Sequence, residues 1–173
     1  SLGHNLLAIT SAPEQGKQPV ETRHGVLTYN GEIFNYADLI KETEWTPQTT
    51  CDTEYLSHVL GTMPHETVNE KIDSMHAYAY YRKATKQLIL SRDHVGIKPL
   101  YYAEIPQGLV FGSEIKGIID KVPNGRCIDE FAAAAMSYSG LNATRNTLFK
   151  NIKKVMPGET LVYDVVNKRF IGS

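Results

Sequence analysis

The chain is poor in the features that mark most specialised protein classes. It holds only two cysteines in 173 residues, Cys51 and Cys127. Two isolated cysteines build neither a disulfide framework nor a Cys-rich metal centre. The six histidines are scattered through the sequence, and none forms the paired spacing on a helix that holds zinc. An excess of one charge is also missing. The formal net charge is −1, so no basic field points to nucleic acid or an anionic membrane. Apolar runs such as Leu88-Ile89-Leu90 are far too short to span a bilayer. No signal-peptide pattern opens the chain, and there is no internal repeat, low-complexity segment or long linker. These absences lead us to expect a cytoplasmic protein with no metal, no nucleic-acid partner and no membrane partner. What is present is ordinary globular material: 42% hydrophobic and 21% charged residues, at a length that suits one domain core.

Periodicity and turn chemistry divide the chain into short elements. Asn5 to Ile9 is an apolar run that reads as a buried strand. Ser11 to Pro19 is polar, with Pro13, Gly16 and Pro19, and reads as a loop. Gly25 to Tyr29 is β-branched and aromatic and predicts a second strand. Asn35 is placed to cap a helix over Tyr36 to Thr43, and Asp52 to cap another over Asp52 to Gly61. Pro64 opens a short third helix. Two hairpins follow: Ala77 to Tyr81 with Gln87 to Ser91, and Leu100 to Ala103 with Leu109 to Phe111. Glu114 to Lys121 reads as a short helix, and Asp129 to Tyr138 as an Ala-rich one. Over 126–173, that last helix and a terminal hairpin, Glu159 to Val165 with Lys168 to Ile171, complete a single domain spanning 1–173. Strands, helices, many antiparallel strands and helices again predict an α+β domain, not a parallel βαβ array.

The densest chemistry lies in Tyr29-Asn30-Gly31-Glu32-Ile33-Phe34-Asn35-Tyr36, where the strand is expected to end and a helix to begin. An Asn amide and a Gly backbone N–H can converge on one oxygen and stabilise an oxyanion. The same dipeptide is also a common turn. Glu32 can bind an ammonium group, or favour a helix N-terminus. Asp52, followed by Thr53-Glu54, has the same two readings. Arg92-Asp93-His94-Val95-Gly96-Ile97-Lys98-Pro99 offers an ion pair and a glycine. It reads as a pinned turn in preference to a phosphate loop, since no helix starts after it. Ser113 reads as a cap. Cys51 is weighed as a nucleophile beside Asp52, but an adjacent acid opposes thiolate formation. The tyrosines from Tyr78 to Tyr81 suit sheet packing.

Taken together and in order, these stretches resemble class II glutamine amidotransferases, above all the glutaminase domain of glutamine-hydrolysing asparagine synthetases. The likeness runs through Leu2-Gly3-His4 to Ile9, Gln18-Pro19, Asn30 to Tyr36, Asp52-Thr53-Glu54, Arg92 to Tyr102, Ser113-Glu114-Ile115-Lys116 and Pro157-Gly158. It implies an N-terminal-nucleophile hydrolase-like fold: a four-layer αββα sandwich with two antiparallel sheets, here missing its first strand or strands. It implies hydrolysis of glutamine to glutamate and ammonia, with Asn30 and Gly31 as oxyanion hole and Glu32, Asp52 and Ile9 in substrate binding. In such enzymes an N-terminal Cys attacks the amide, with its own amine as base. The segment carrying that Cys is absent before Ser1, so the expectation is a chain that is inactive alone, its nucleophile absent. Leu6 stands where the family usually has an Arg for the glutamine carboxylate, and Arg23 is the substitute considered. The alternative is a non-catalytic glutamine-binding or interaction module of the same fold. No cofactor is expected in this chain; ATP and magnesium belong to a synthetase domain whose Ser-Gly-Gly-x-Asp signature it lacks. That domain would be the partner that passes ammonia to a carboxylate such as aspartate. An uncovered sheet edge would favour a homodimer.

Overall fold

The computed structural model describes residues 2–3, 17–43, 45–140 and 143–172. The expected strand over Asn5 to Ile9, and with it Ile9 and Leu6, lies outside the described residues.

Strand β2 (Gly25–Ile33) pairs with β3 (Ser74–Arg82) along its whole length, Gly25 opposite Arg82 and Ile33 opposite Ser74. Their alternation sorts side chains by face. Leu27, Tyr29, Ile33, Tyr78 and Tyr80 point one way, into a core closed by the helices. Ala77 and Ala79 point the other way, into a core shared with the second sheet. The short β1 (Val20–Glu21), β4 (Gln87–Arg92), β8 (Thr160–Asp164) and β9 (Arg169–Gly172) complete a six-stranded antiparallel sheet in the order β1-β2-β3-β4-β8-β9.

Helices α1 (Tyr36–Glu42), α2 (Asp52–Thr62) and α3 (His65–Lys71) supply the first core. Tyr55, Leu56, Val59 and Leu60 of α2 lie buried against β2. The second sheet is β6-β5-β7, built from β5 (Tyr101–Ile105), β6 (Gly108–Gly112) and β7 (Lys153–Lys154). Leu100, Tyr102, Leu109 and Phe111 fill the space between the sheets. On the outer side, Ala103 packs with Ile118, Val122 and Ile152. The last helix, α4 (Glu130–Ser139), is capped by Asp129, whose carboxylate accepts the N–H of Ala132. It ends at Gly140 in the left-handed conformation that favours glycine. The α+β architecture with two antiparallel sheets is therefore the expected one.

Four local expectations are corrected. The second strand does not stop at Tyr29 but runs on through Asn30 and Gly31 to Ile33, so this Asn-Gly pair is neither turn nor helix start. Asn35 precedes α1 without capping it; its side chain bridges to Lys71 O and Asp73 N, because the chain at the start of β3 offers better-placed partners. Glu114 to Lys121 forms two 3₁₀ turns instead of an α-helix, with Glu114, not Ser113, at the first cap position. Arg92 and Asp93 do pin their turn, but not by pairing with each other. The guanidinium donates to Gly96 O, Lys98 O and Val155 O, while the carboxylate accepts the N–H groups of His76, Ile97 and Lys98. Each side chain is used up on backbone.

Candidate functional site

The site is built on one edge of β2. Strand alternation sends the N–H and C=O groups of successive residues to opposite sides. Those of Tyr29 and Ile33 point away from β3. Gln18 bonds both backbone groups of Tyr29, accepting its N–H at 2.6 Å and donating to its carbonyl at 2.9 Å. Asp52 accepts the N–H of Ile33 at 3.0 Å. Gly31 lies midway between them, so its N–H faces the same edge, where it meets no hydrogen-bond partner among the described residues.

Gly31 has a steric reason to be glycine. A Cβ there would collide with the carbonyl oxygen of Met75 and come within 2.9 Å of His76 Cα. Backbone lies too close for any side chain, which is what keeps this dipeptide in a paired strand.

Asn30 and Glu32 flank Gly31 on the opposite face of β2 from Tyr29 and Ile33. Asn30 is opposite Ala77, Glu32 opposite Met75, and both are half-buried. Neither side chain makes a hydrogen bond to a described residue. Asn30 lines a cleft between the sheets together with Thr28, Ala77, Ala79, Gly112 and Ser113.

Asp52 is the first residue of α2, not its cap; Cys51 holds the cap position. Besides Ile33 N, Asp52 Oδ2 accepts the phenol of Tyr29 at 3.0 Å. Burial and then the adjacent Asp52 charge hold the Tyr29 phenol far above its ordinary range, so it acts only as a donor. Glu54, in the first turn of α2, accepts the N–H groups of Gln48 and Thr49 and the Thr49 hydroxyl, which seats the loop before Asp52.

The structure thus gathers Asn30, Gly31, Glu32 and Asp52 around one end of β2. Cys51 is close by but buried, its sulfur 3.9 Å from Asp52 Oδ1. Arg23 is excluded as a partner. It donates to its neighbour His24 at 2.8 Å before β2 begins, roughly 20 Å along the strand from Asn30 at about 3.3 Å per residue. Gln18 enters the sequence likeness only through the Gln18-Pro19 pair, and a polar side chain before a proline carries no signal that it will bond a strand edge. Among the described residues, no group of three or more His, Cys, Asp or Glu gathers as metal ligands, and no helix is long and apolar enough to cross a membrane.

The model of the glutamine amidotransferase domain family matches residues 1–170. The chain belongs to that family. It is 36% identical to asparagine synthetase (glutamine-hydrolyzing) 1 of Bacillus subtilis over 84% of its own length and 23% of that protein. Identity to asparagine synthetase (glutamine-hydrolyzing) 3 of the same organism is 30%, over 93% of the chain and 27% of that protein. The chain therefore spans about a quarter of the length of these curated relatives. Among solved structures it resembles glutamine phosphoribosylpyrophosphate amidotransferase from B. subtilis complexed with ADP and GMP, at 19% identity and TM-score 0.54 over 90% of this chain and 31% of that one. A structure of the allosteric regulatory enzyme of purine biosynthesis gives TM-score 0.55, also at 19% identity, over 90% of this chain and 30% of that one. At that identity the likeness establishes the fold, that of N-terminal-nucleophile amidotransferases.

Proposed function

We propose that this domain binds glutamine at the end of β2 and serves its hydrolysis to glutamate and ammonia. The observation that carries the reading is the Gly31 N–H, without a hydrogen-bond partner among the described residues and set between backbone groups that Gln18 and Asp52 already occupy. A donor fixed by its neighbours needs no reorganisation when negative charge develops on a substrate oxygen. The Asn30 amide supplies a second donor from the adjacent position. Together they suit the tetrahedral oxyanion formed when a carboxamide is attacked.

Glu32 and Asp52 give the other end of the site its charge. Two carboxylates near one strand end suit the α-ammonium of a free amino acid. Asp52 Oδ2 holds Ile33 and Tyr29, while Oδ1 accepts only the weak thiol donor of Cys51 at 3.9 Å. This reading gives no described residue the role of nucleophile. Cys51 is buried at a helix start and points to Asp52, not to the open edge. The relatives are named as glutamine-hydrolysing asparagine synthetases. By analogy, the ammonia would go to a carboxylate acceptor such as aspartate, in a synthetase domain or partner that needs ATP and magnesium.

Titration calorimetry with glutamine tests the reading without requiring turnover. The chain is expected to bind glutamine, and Glu32→Gln to weaken binding by about tenfold or more, the worth of one hydrogen bond to a charged group. Glutamine binding that is indifferent to Glu32→Gln, Asn30→Ala and Asp52→Asn alike would move the site elsewhere.

A further inference from the structure

The outer edge of β2 is held by side chains at positions where backbone would ordinarily hold it. Near its start the pairing is ordinary: Thr22 donates its N–H to the Gly25 carbonyl at 2.9 Å, and Val20 lies opposite Leu27. Each step of two residues back along β1 meets a step of two forward along β2. The next pairing position therefore sets Gln18 opposite Tyr29. There the pairing changes kind. The chain bends at Gln18 and Pro19, and the backbone ladder of β1 with β2 ends at Val20. The Gln18 side chain takes over. Its Oε1 accepts the Tyr29 N–H at 2.6 Å, and its Nε2 donates to the Tyr29 carbonyl at 2.9 Å. A carboxamide carries the same kinds of donor and acceptor as a peptide unit, so it satisfies Tyr29 as a strand would. Unlike a strand, it stops there. A backbone ladder continued in this register would next reach Gly31, about 6.6 Å further along β2. Beyond Gly31, the Ile33 N–H is again met by a side chain, that of Asp52.

We propose that Gln18 is a positioning residue of the glutamine site: its carboxamide ends the β1–β2 ladder one pairing position short of Gly31 and leaves that N–H for a substrate oxygen. The proposal rests on the glutamine reading above and adds to it the residue that sets the oxyanion donor in place. Gln18 acts through Tyr29 and touches no substrate. Two demands meet in this one side chain. The strand must be held, because a donor that has to reorganise is a poor stabiliser of developing charge. The strand must also stay uncovered at Gly31, which a fully paired neighbour would prevent. Gln18 meets both demands because its reach ends with one residue. Without it, the Tyr29 N–H and carbonyl lose their partner, and Asp52 alone among the described residues holds this end of the outer edge.

Gln18→Met keeps the length of the side chain and removes both bonds. Thr22→Val is the comparison. It removes a clasp at the far end of the same strand pair, where Thr22 Oγ1 accepts the N–H groups of His24 and Gly25. Calorimetry with glutamine and proton–nitrogen correlation spectra of the whole chain read the result, and thermal melting confirms that each variant is folded. Glutamine should move the Gly31 amide resonance of the unmodified chain. Gln18→Met should weaken glutamine by about three- to tenfold, the range for one neutral hydrogen bond, and shift the Gly31 resonance before glutamine is added. Thr22→Val should lower the thermal midpoint while glutamine affinity and the Gly31 resonance stay in place. Gln18→Asn, whose carboxamide falls one carbon short, gives the same readings if Gln18→Met does not fold. Glutamine bound by the folded Gln18 variant as tightly as by the unmodified chain overturns the positioning role and leaves the glutamine site standing. Equal weakening by the Gln18 and Thr22 variants overturns it as well. No glutamine binding by the unmodified chain overturns both this role and the reading beneath it.

Discussion

The carboxylate of Asp52 accepts the backbone N–H of Ile33 at 3.0 Å, and this bond joins the first turn of α2 to the last residue of β2. With the same oxygen taking the Tyr29 phenol at 3.0 Å, one side chain fixes the strand end that carries Gly31. Asp52→Ala leaves both donors unmatched. The expected loss is about 1–3 kcal/mol of stability, read as a lower urea midpoint at unchanged m-value. Asp52→Asn keeps one accepting oxygen and should cost less stability. It removes the charge offered to an ammonium group, so its loss of glutamine affinity should exceed its loss of stability.

Gly31 gives a prediction about backbone packing. Any Cβ at this position meets the backbone of Met75 and His76, and neither can swing aside as a flexible side chain would. Gly31→Ala should lower stability by about 1–3 kcal/mol, typical of overpacking, with a matching fall in the thermal midpoint. Gly117, whose added Cβ meets nothing within 4 Å, is the control. Gly117→Ala should leave the midpoint nearly unchanged.

These two residues show what could be read from the sequence and what could not. The apolar faces of α2 and of the paired strands follow local periodicity, so elements such as Tyr36–Glu42 and Gln87–Arg92 lie close to their expected bounds, while the strand expected over Ala77 to Tyr81 is longer at both ends, Ser74–Arg82. The Asn-Gly pair does not follow local rules. Its strand conformation is imposed by Met75 and His76, more than forty residues away in the chain, and by Gln18 and Asp52 on the edge away from β3. Arg92 and Asp93 make the same point. Their charges suggest a pair, yet each is bound to carbonyls or amides that only the folded turn presents. Site residues were legible as chemical types. Their partners were not, because those partners are backbone groups placed by tertiary pairing.

His76 sets the pH dependence of stability. It is 5% exposed, between Ser74 at 2.8 Å and Ser91 at 3.4 Å. Burial lowers its pKa from 6.5 to about 4; the nearby Asp93 charge works against that fall and His94 adds to it. Between those two values the unfolded chain holds a proton that the folded chain refuses. Acid therefore favours unfolding, and stability rises with pH across the window. The full shift is worth about 3 kcal/mol. His58 and His65, also lowered chiefly by burial, act in the same direction. Urea denaturation at several pH values between 4 and 6.5 should show this slope, and His76→Asn should flatten much of it.

Asp93 anchors the strand behind the site. It is 1% exposed, and its carboxylate takes the N–H groups of Ile97 at 2.8 Å, Lys98 at 3.0 Å and His76 at 3.2 Å. Burial alone would raise its pKa, but these backbone donors outweigh it and hold the carboxyl below its usual range. Its stabilisation is therefore present above the ordinary Asp value and is lost as pH falls through the folded one. Asp93→Ala leaves three backbone donors without their acceptor, the buried His76 N–H among them, and should cost about 1–3 kcal/mol. Asp93→Asn, which retains one accepting oxygen, should cost less. The consequence for the site runs through register. His76 lies opposite Gly31 and Ala77 opposite Asn30, so loosening His76 loosens the wall against which the open N–H is set. In proton–nitrogen correlation spectra of folded Asp93→Asn, the Gly31 amide resonance should shift, while resonances of α4 (Glu130–Ser139) should stay in place. A Gly31 resonance unmoved by the substitution would confine Asp93 to its own turn.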